Sequence, residues 1–172
     1  MITLGIDPGI ASTGYGVISH SDGQSHCLDS GVISTSKTRN PEERLGTIYN
    51  RLGILIKKFK PDCCVVEQLF FNTNVKTALG VGQARGTILL AASHNNLECF
   101  EYTPLQVKQA VVGYGRAEKS QVQYMVKQIL NLKDKLKDDE ADALAIAICH
   151  VQSYRLEMLT SRGVAFNPEA LS

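Results

Sequence analysis

The chain has 172 residues, is 44% hydrophobic and 20% charged, and carries a formal net charge of +1. That suits one globular domain with a sizeable core, and the small net charge by itself argues against a polyanion partner. The longest apolar stretches are about seven residues (Ala143 to Cys149), far short of the roughly 18 needed to span a bilayer. The N-terminus shows neither a basic region nor a cleavage-site pattern. The five cysteines are odd in number and form no CxxC. Together these lead us to expect a cytoplasmic protein with reduced thiols and no membrane partner.

In chain order, residues 2–7, 13–20 and 26–33 read as strands separated by Gly, Ser and Asp clusters. Asp7 ends the first, and Pro8-Gly9 turns the chain. Thr13-Gly14-Tyr15-Gly16 suits close approach of backbone to a phosphate, or simply a small-residue strand crossing. Residues 41–59 read as a helix. Leu45, Ile48, Leu52, Leu55, Ile56 and Phe59 recur at helical spacing, and Pro41, Glu42 and Glu43 suit the first turn. Residues 63–68 form a continuous apolar run, as in a central buried strand, broken by Glu67. Phe70 and Phe71 open a polar loop, Asn72-Thr73-Asn74. Either could stack on unpaired bases, with core packing the ordinary alternative.

Residues 75–94 read as a helix weakened by Gly80, Gly82 and Gly86. Close approach of another helix, from this chain or a second subunit, explains the glycines; so does a marginal helix. Residues 97–102 read as a short strand. Thr103-Pro104-Leu105-Gln106 is a capping box opening a helix that runs to Gly113-Tyr114-Gly115. Further helices cover about 118–130 and 139–156. The order βββαβαβααα implies an α/β domain with a mixed central sheet, antiparallel at its start. We expect one domain over 1–155 and a loosely ordered tail over 156–172.

Four carboxylates sit where charge is awkward. Asp7 and Glu67 end apolar runs, and Asp139 and Asp142 open a helix that continues Ala143-Leu144-Ala145-Ile146-Ala147-Ile148. Charge against buried elements is costly unless it is paired or binds metal. The i, i+3 spacing of Asp139 and Asp142 puts both on one helix face, with Cβ atoms about 5–6 Å apart, and leaves Glu140 on another. Singly, each acid has a plain explanation: a turn residue, a strand end meeting solvent, or a complement to the helix dipole. If the four converge, they form an oxygen-only site for hard divalent cations. From Pro104 to Lys137 there are seven basic residues against two acidic, a net +5, followed by −4 over Asp138 to Asp142. A basic surface beside an acidic pocket suits metal-dependent cleavage of a nucleic-acid backbone, although a mixed solvated helix face would give the same count. The four histidines show no ligand spacing.

Seven segments, in order, carry a resemblance. They are Gly5-Ile6-Asp7-Pro8-Gly9, Thr13-Gly14-Tyr15-Gly16-Val17, Val66-Glu67-Gln68, Gly82-Gln83-Ala84-Arg85-Gly86, Gln106-Val107-Lys108-Gln109, Ala117-Glu118-Lys119-Ser120-Gln121-Val122 and Asp142-Ala143-Leu144-Ala145-Ile146-Ala147. Over residues 1–150 the chain resembles the RuvC family of bacterial Holliday junction resolvases. The resemblance implies an RNase H-like fold, a mixed five-stranded sheet flanked by helices. It implies a homodimer that nicks opposing strands of a four-way DNA junction in recombination and repair, working with a branch-migration motor of the RuvA/RuvB type. Asp7, Glu67, Asp139 and Asp142 fall on the family's catalytic carboxylates and Phe70 on its junction-stacking aromatic. Lys108 and Lys119 fall on lysines near the scissile phosphate or DNA backbone, with Arg116 and Phe71 as further DNA contacts. The helix with Gly82 and Gly86 corresponds to the dimer helix. Glu140 departs from the family, where many members have a small residue.

The expected chemistry is in-line hydrolysis with two Mg²⁺ ions roughly 4 Å apart, Mn²⁺ being a possible substitute, and Asp7 as the bridging ligand. The products would carry a 5′ phosphate and a 3′ hydroxyl. Competing expectations are an RNase H-like nuclease acting on another nucleic acid, a non-catalytic junction-binding module, and an actin-like ATPase. The last would need a second nucleotide lobe that 172 residues leave no room for.

Overall fold

The computed structural model describes residues 1–68 and 75–161, with backbone only for 75–77 and 155–161. The elements are β1 (Ile2–Asp7), β2 (Ser12–Ser21), β3 (Gln24–Ser34), α1 (Pro41–Phe59), β4 (Cys63–Glu67), α2 (Val75–His94), β5 (Glu98–Tyr102), α3 (Pro104–Val112), α4 (Lys119–Ile129) and α5 (Asp138–Ser161). The expected order holds. The one clear shortfall is at the end, where the last helix runs to Ser161 rather than 156. Arg155-Leu156-Glu157-Met158-Leu159 are all good helix formers, and no Gly or Pro intervenes before Gly163. The expected aromatics Phe70 and Phe71, and residues 162–172 of the expected tail, lie outside the described residues.

The five strands form one sheet in the order β3-β2-β1-β4-β5. β1, β2 and β3 pair antiparallel, while β4 pairs parallel with β1 and with β5. The β2–β3 hairpin turns at Asp22-Gly23, where both residues have positive φ (51° and 79°), as a two-residue turn matched to the twist of the strands requires.

Alternation along the central strands divides the core in two. Leu4, Ile6, Cys64 and Val66 point to the side covered by α1 and α2, meeting Ile48, Leu52, Ala84 and Ile88. Val65 and Cys63 point to the other side, among Val107, Val122, Leu144 and Ile148 of α3, α4 and α5. On that second side α5 comes unusually close to the sheet. Gly5 and Gly16 are cross-strand partners and leave a flat bed for the helix. A Cβ at Gly5 would lie 2.2 Å from the carbonyl oxygen of Ala143, and one at Gly14 would lie 1.9 Å from that of Asp139. The facing helix residues Ala141, Ala143, Leu144 and Ala147 are completely buried. Among the described residues no helix is long and apolar enough to cross a membrane.

Candidate active site

Asp7 and Glu67 are the last residues of β1 and β4. Ile6 pairs with Val66 in the parallel register, so the two acids leave neighbouring strands side by side. Both follow the Gly5 and Val65 face and so turn toward α5. The small-residue bed brings the first turn of α5 down on the same end of the sheet, carrying Asp139 and Asp142. Sequence and fold thus assemble all four acids where the two central parallel strands finish.

Their mutual influence is visible in Asp7. Burial raises its pKa most, and the charges of Glu67, Asp142 and Asp139 raise it further, to about 7. Burial also pushes Glu67 upward, with Asp142 adding to it. Burial pushes Asp142 up as well, against the pull of Lys119. Oxygen-only donors whose central member holds a proton this tightly fit a hard divalent cation. Among the described residues, no three acidic, imidazole or thiol side chains yet stand around one point. The acids are instead held by their neighbours. Lys119 Nζ lies 2.9 Å from Asp142 Oδ2 and 3.5 Å from Asp138 Oδ2. The Ser12 hydroxyl donates a short hydrogen bond to Asp139 Oδ2.

Glu140, the extra acid, turns away from this group. Its Oε1 accepts from Ser30 Oγ on β3 at 2.7 Å, and its Oε2 accepts from the Lys137 amide at 3.1 Å. It therefore caps the start of α5 and ties it to β3, as its different helix face suggested.

The acids lie between two grooves. One, of about 230 Å³, is lined by Glu67 and Asp142 together with Lys108 and Lys119. This brings both expected lysines to the site: Lys108 from α3, Lys119 from the first position of α4. Arg116 is exposed between those helices and lines neither groove. The second groove, of about 600 Å³, is lined by Asp7 and Asp139 with the turn Pro8–Ser12, Lys37 and Arg44. Ser12, Lys37 and Arg44 were not anticipated from the sequence. The only signal was a basic residue near the start of α1, where the helix dipole disfavours it.

Three comparisons bear on this arrangement. The profile of the family described as crossover junction endodeoxyribonuclease RuvC matches residues 3–150. A protein of that name from Alkaliphilus oremlandii is 58% identical over 154 residues, covering 89% of this chain and 94% of its own. Another, from Ruminiclostridium cellulolyticum, is 56% identical over 160 residues, covering 92% and 96%. Among solved structures, T. thermophilus RuvC in complex with Holliday junction substrate superposes with a TM-score of 0.87 at 38% identity, covering 91% of this chain and 96% of that one.

Proposed function

This chain belongs to the RuvC family of crossover junction endodeoxyribonucleases, and on that premise we propose that Asp7, Glu67, Asp139 and Asp142 are the residues with which it cuts. It is a nuclease that hydrolyses DNA phosphodiester bonds and resolves Holliday junctions, in an RNase H-like fold. The observation that carries the assignment is placement: Asp7 and Glu67 end neighbouring parallel strands and the first turn of α5 brings Asp139 and Asp142 to the same end of the sheet, so that their charges add to burial in raising the Asp7 pKa to about 7.

Asp7 and Glu67, fixed by strand ends, and Asp139 and Asp142, fixed by α5, are the residues that would hold the divalent ions, Mg²⁺ or Mn²⁺. Bound ions would supply an acidified water and charge stabilisation at the leaving oxygen. The chain's own part is orientation. Ser12 holds one oxygen of Asp139 and so limits its rotation. Lys119 neutralises Asp142, and it is placed to exchange that carboxylate for a DNA phosphate. Lys108, half-buried in the same groove and without an ion-pair partner among the described residues, offers a second cation to the phosphate.

The dimer falls to α2. Its outer side exposes Leu79 (64%) and Leu90 (50%), and above Gly82 and Gly86 there is open space. An apolar, small-residue helix face suits a second copy related by a two-fold axis. Two equal sites would then meet two equivalent strands of a four-way junction. A branch-migration motor of the RuvA/RuvB type is the partner this role calls for.

Asp7→Asn tests the assignment. It should reduce cleavage of a labelled mobile four-way junction by at least about 1,000-fold while preserving or improving junction binding. Cleavage at the wild-type rate would remove Asp7 from the chemistry. Cutting of RNA–DNA hybrid in preference to the junction would keep the metal chemistry and overturn the substrate.

A further inference from the structure

Two cations on the Asp7 flank of the acidic cluster have no part in the reading above. Lys37 follows β3 and is exposed, and Arg44 sits near the start of α1, half-buried. Both line the larger groove with Asp7 and Asp139. Neither forms an ion pair among the described residues, although Glu42 and Glu43 stand beside Arg44 in the chain. Arg44 is also fixed in place. Its Nε donates to Thr35 Oγ1 at 2.9 Å. The Thr35 hydroxyl in turn donates a short bond to the Ile10 carbonyl, and the Thr35 amide donates to the Ala11 carbonyl at 3.0 Å. One nitrogen of the guanidinium is thereby tied to the turn that follows Asp7. Its terminal fork remains for a planar or tetrahedral oxyanion.

A DNA strand crossing this site brings several phosphates toward four carboxylates. Each is repelled unless a cation stands near it. Lys108 and Lys119 serve only the groove lined by Glu67 and Asp142. The strand must continue past Asp7 and Asp139 on the other side. We propose that Lys37 and Arg44 bind a backbone phosphate of the strand being cut, on the flank of the scissile bond opposite Lys108 and Lys119. This rests on the nuclease reading, and it adds a second basic wall, so that the cleaved strand is gripped on both sides of the cut.

The test uses the full chain and four-way junctions carrying single methylphosphonates at successive positions around the mapped cut. Binding is measured in EDTA as a function of salt, and cleavage in Mg²⁺. The double variant Lys37→Ala, Arg44→Ala should bind the unmodified junction about 10- to 100-fold more weakly, with a salt slope lower by about 1 for each cation removed. Wild-type protein should lose affinity at one methylphosphonate position on the predicted flank, and the double variant should be indifferent to that position. Lys37→Ala alone, a change in an exposed loop that leaves the fold intact, should show part of the same indifference. Unaltered affinity and salt slope in the double variant would overturn the proposal. So would a double variant that still senses every methylphosphonate the wild type senses. Wild-type protein that neither binds nor cuts junctions would instead overturn the nuclease reading, and this inference with it.

Discussion

Helices α2 and α5 are both rich in small residues, and they use them in opposite directions. In α5 the small side chains face inward. Ala141, Ala143, Ala145 and Ala147 are buried, and Ala143 and Ala147 press on β1 where Gly5 clears the way. In α2 the inner side is filled by Ala84, Ile88, Ala91 and Ala92, while Gly82 and Gly86 open onto empty space between two exposed leucines. Close packing is therefore complete within the chain at α5, where it sets the positions of Asp139 and Asp142, two of the four acids proposed to cut. At α2 an exposed apolar face is left, where the proposed second copy would pack. On that proposal, the same composition builds the site in one place and would double it in the other.

A single methyl group would break the α5 side of this contrast. In Gly14→Ala the new Cβ would meet the Asp139 carbonyl oxygen at 1.9 Å, and backbone cannot swing aside as a side chain can. The start of α5 must move, Asp139 with it. Misplacement of about 1 Å costs on the order of 100-fold in rate, so single-turnover junction cleavage should fall by at least that much in protein that still folds. A variant that cuts at the normal rate would show that the contact is not what positions Asp139.

On the α2 side, Leu79→Glu with Leu90→Glu should leave the monomer's stability within about 0.5 kcal/mol, since both side chains are largely exposed. Self-association measured by sedimentation should weaken at least tenfold, because charge would have to be buried in an apolar contact. Unchanged association would move the interface elsewhere.

The smallest effect sharpens the contrast from inside the site. In metal-free protein the folded-state pKa of Asp7 stands at about 7, above the unfolded value of about 4. The folded state thus holds the proton more tightly. Its contribution to stability is full below about pH 4 and is lost as pH rises through 7. Thermal melts in EDTA should therefore show Tm falling by a few degrees between pH 5 and pH 8, and the fall should be smaller in Asp7→Asn. An equal pH dependence in both proteins would mean that Asp7 is not the group responsible.

Much of this was legible before the fold was known, because the informative signals are local. A carboxylate ending an apolar run and an i, i+3 acid pair opening an apolar helix are readable from a few neighbours each. Convergence of those acids stayed conditional in the sequence, because it depends on the parallel pairing of β1 with β4, a long-range contact that local patterns do not specify. Ser12, Lys37 and Arg44 were not legible, for a physical reason. They reach the site through the β2–β3 register and the Thr35 bridge to Ile10 and Ala11, and such tertiary pairings leave no local periodicity. The basic count over residues 104–137 was a poor guide to the site. Of its seven cations only Lys108 and Lys119 line the groove with the acids, and Lys127, for example, spends its charge on the Lys133 carbonyl at 3.3 Å. Helix α5 outran its expected end because good helix formers continue it where apolar periodicity fades.

The flat bed that Gly5, Gly14 and Gly16 offer to α5 has a consequence for how the molecule fails. All four acids stand on β1, β4 or the first turns of α5; β1 and β4 are joined by a parallel ladder, and α5 closes on Gly5 and Gly14 at the level of its own backbone. Amides in such a unit exchange with solvent only when the whole domain opens. Fraying at the Asp22-Gly23 turn of the β2–β3 hairpin or at the end of α5 leaves the site intact. Heat should therefore give no partly folded species with a spoiled site, and loss of cutting and loss of fold should follow one curve.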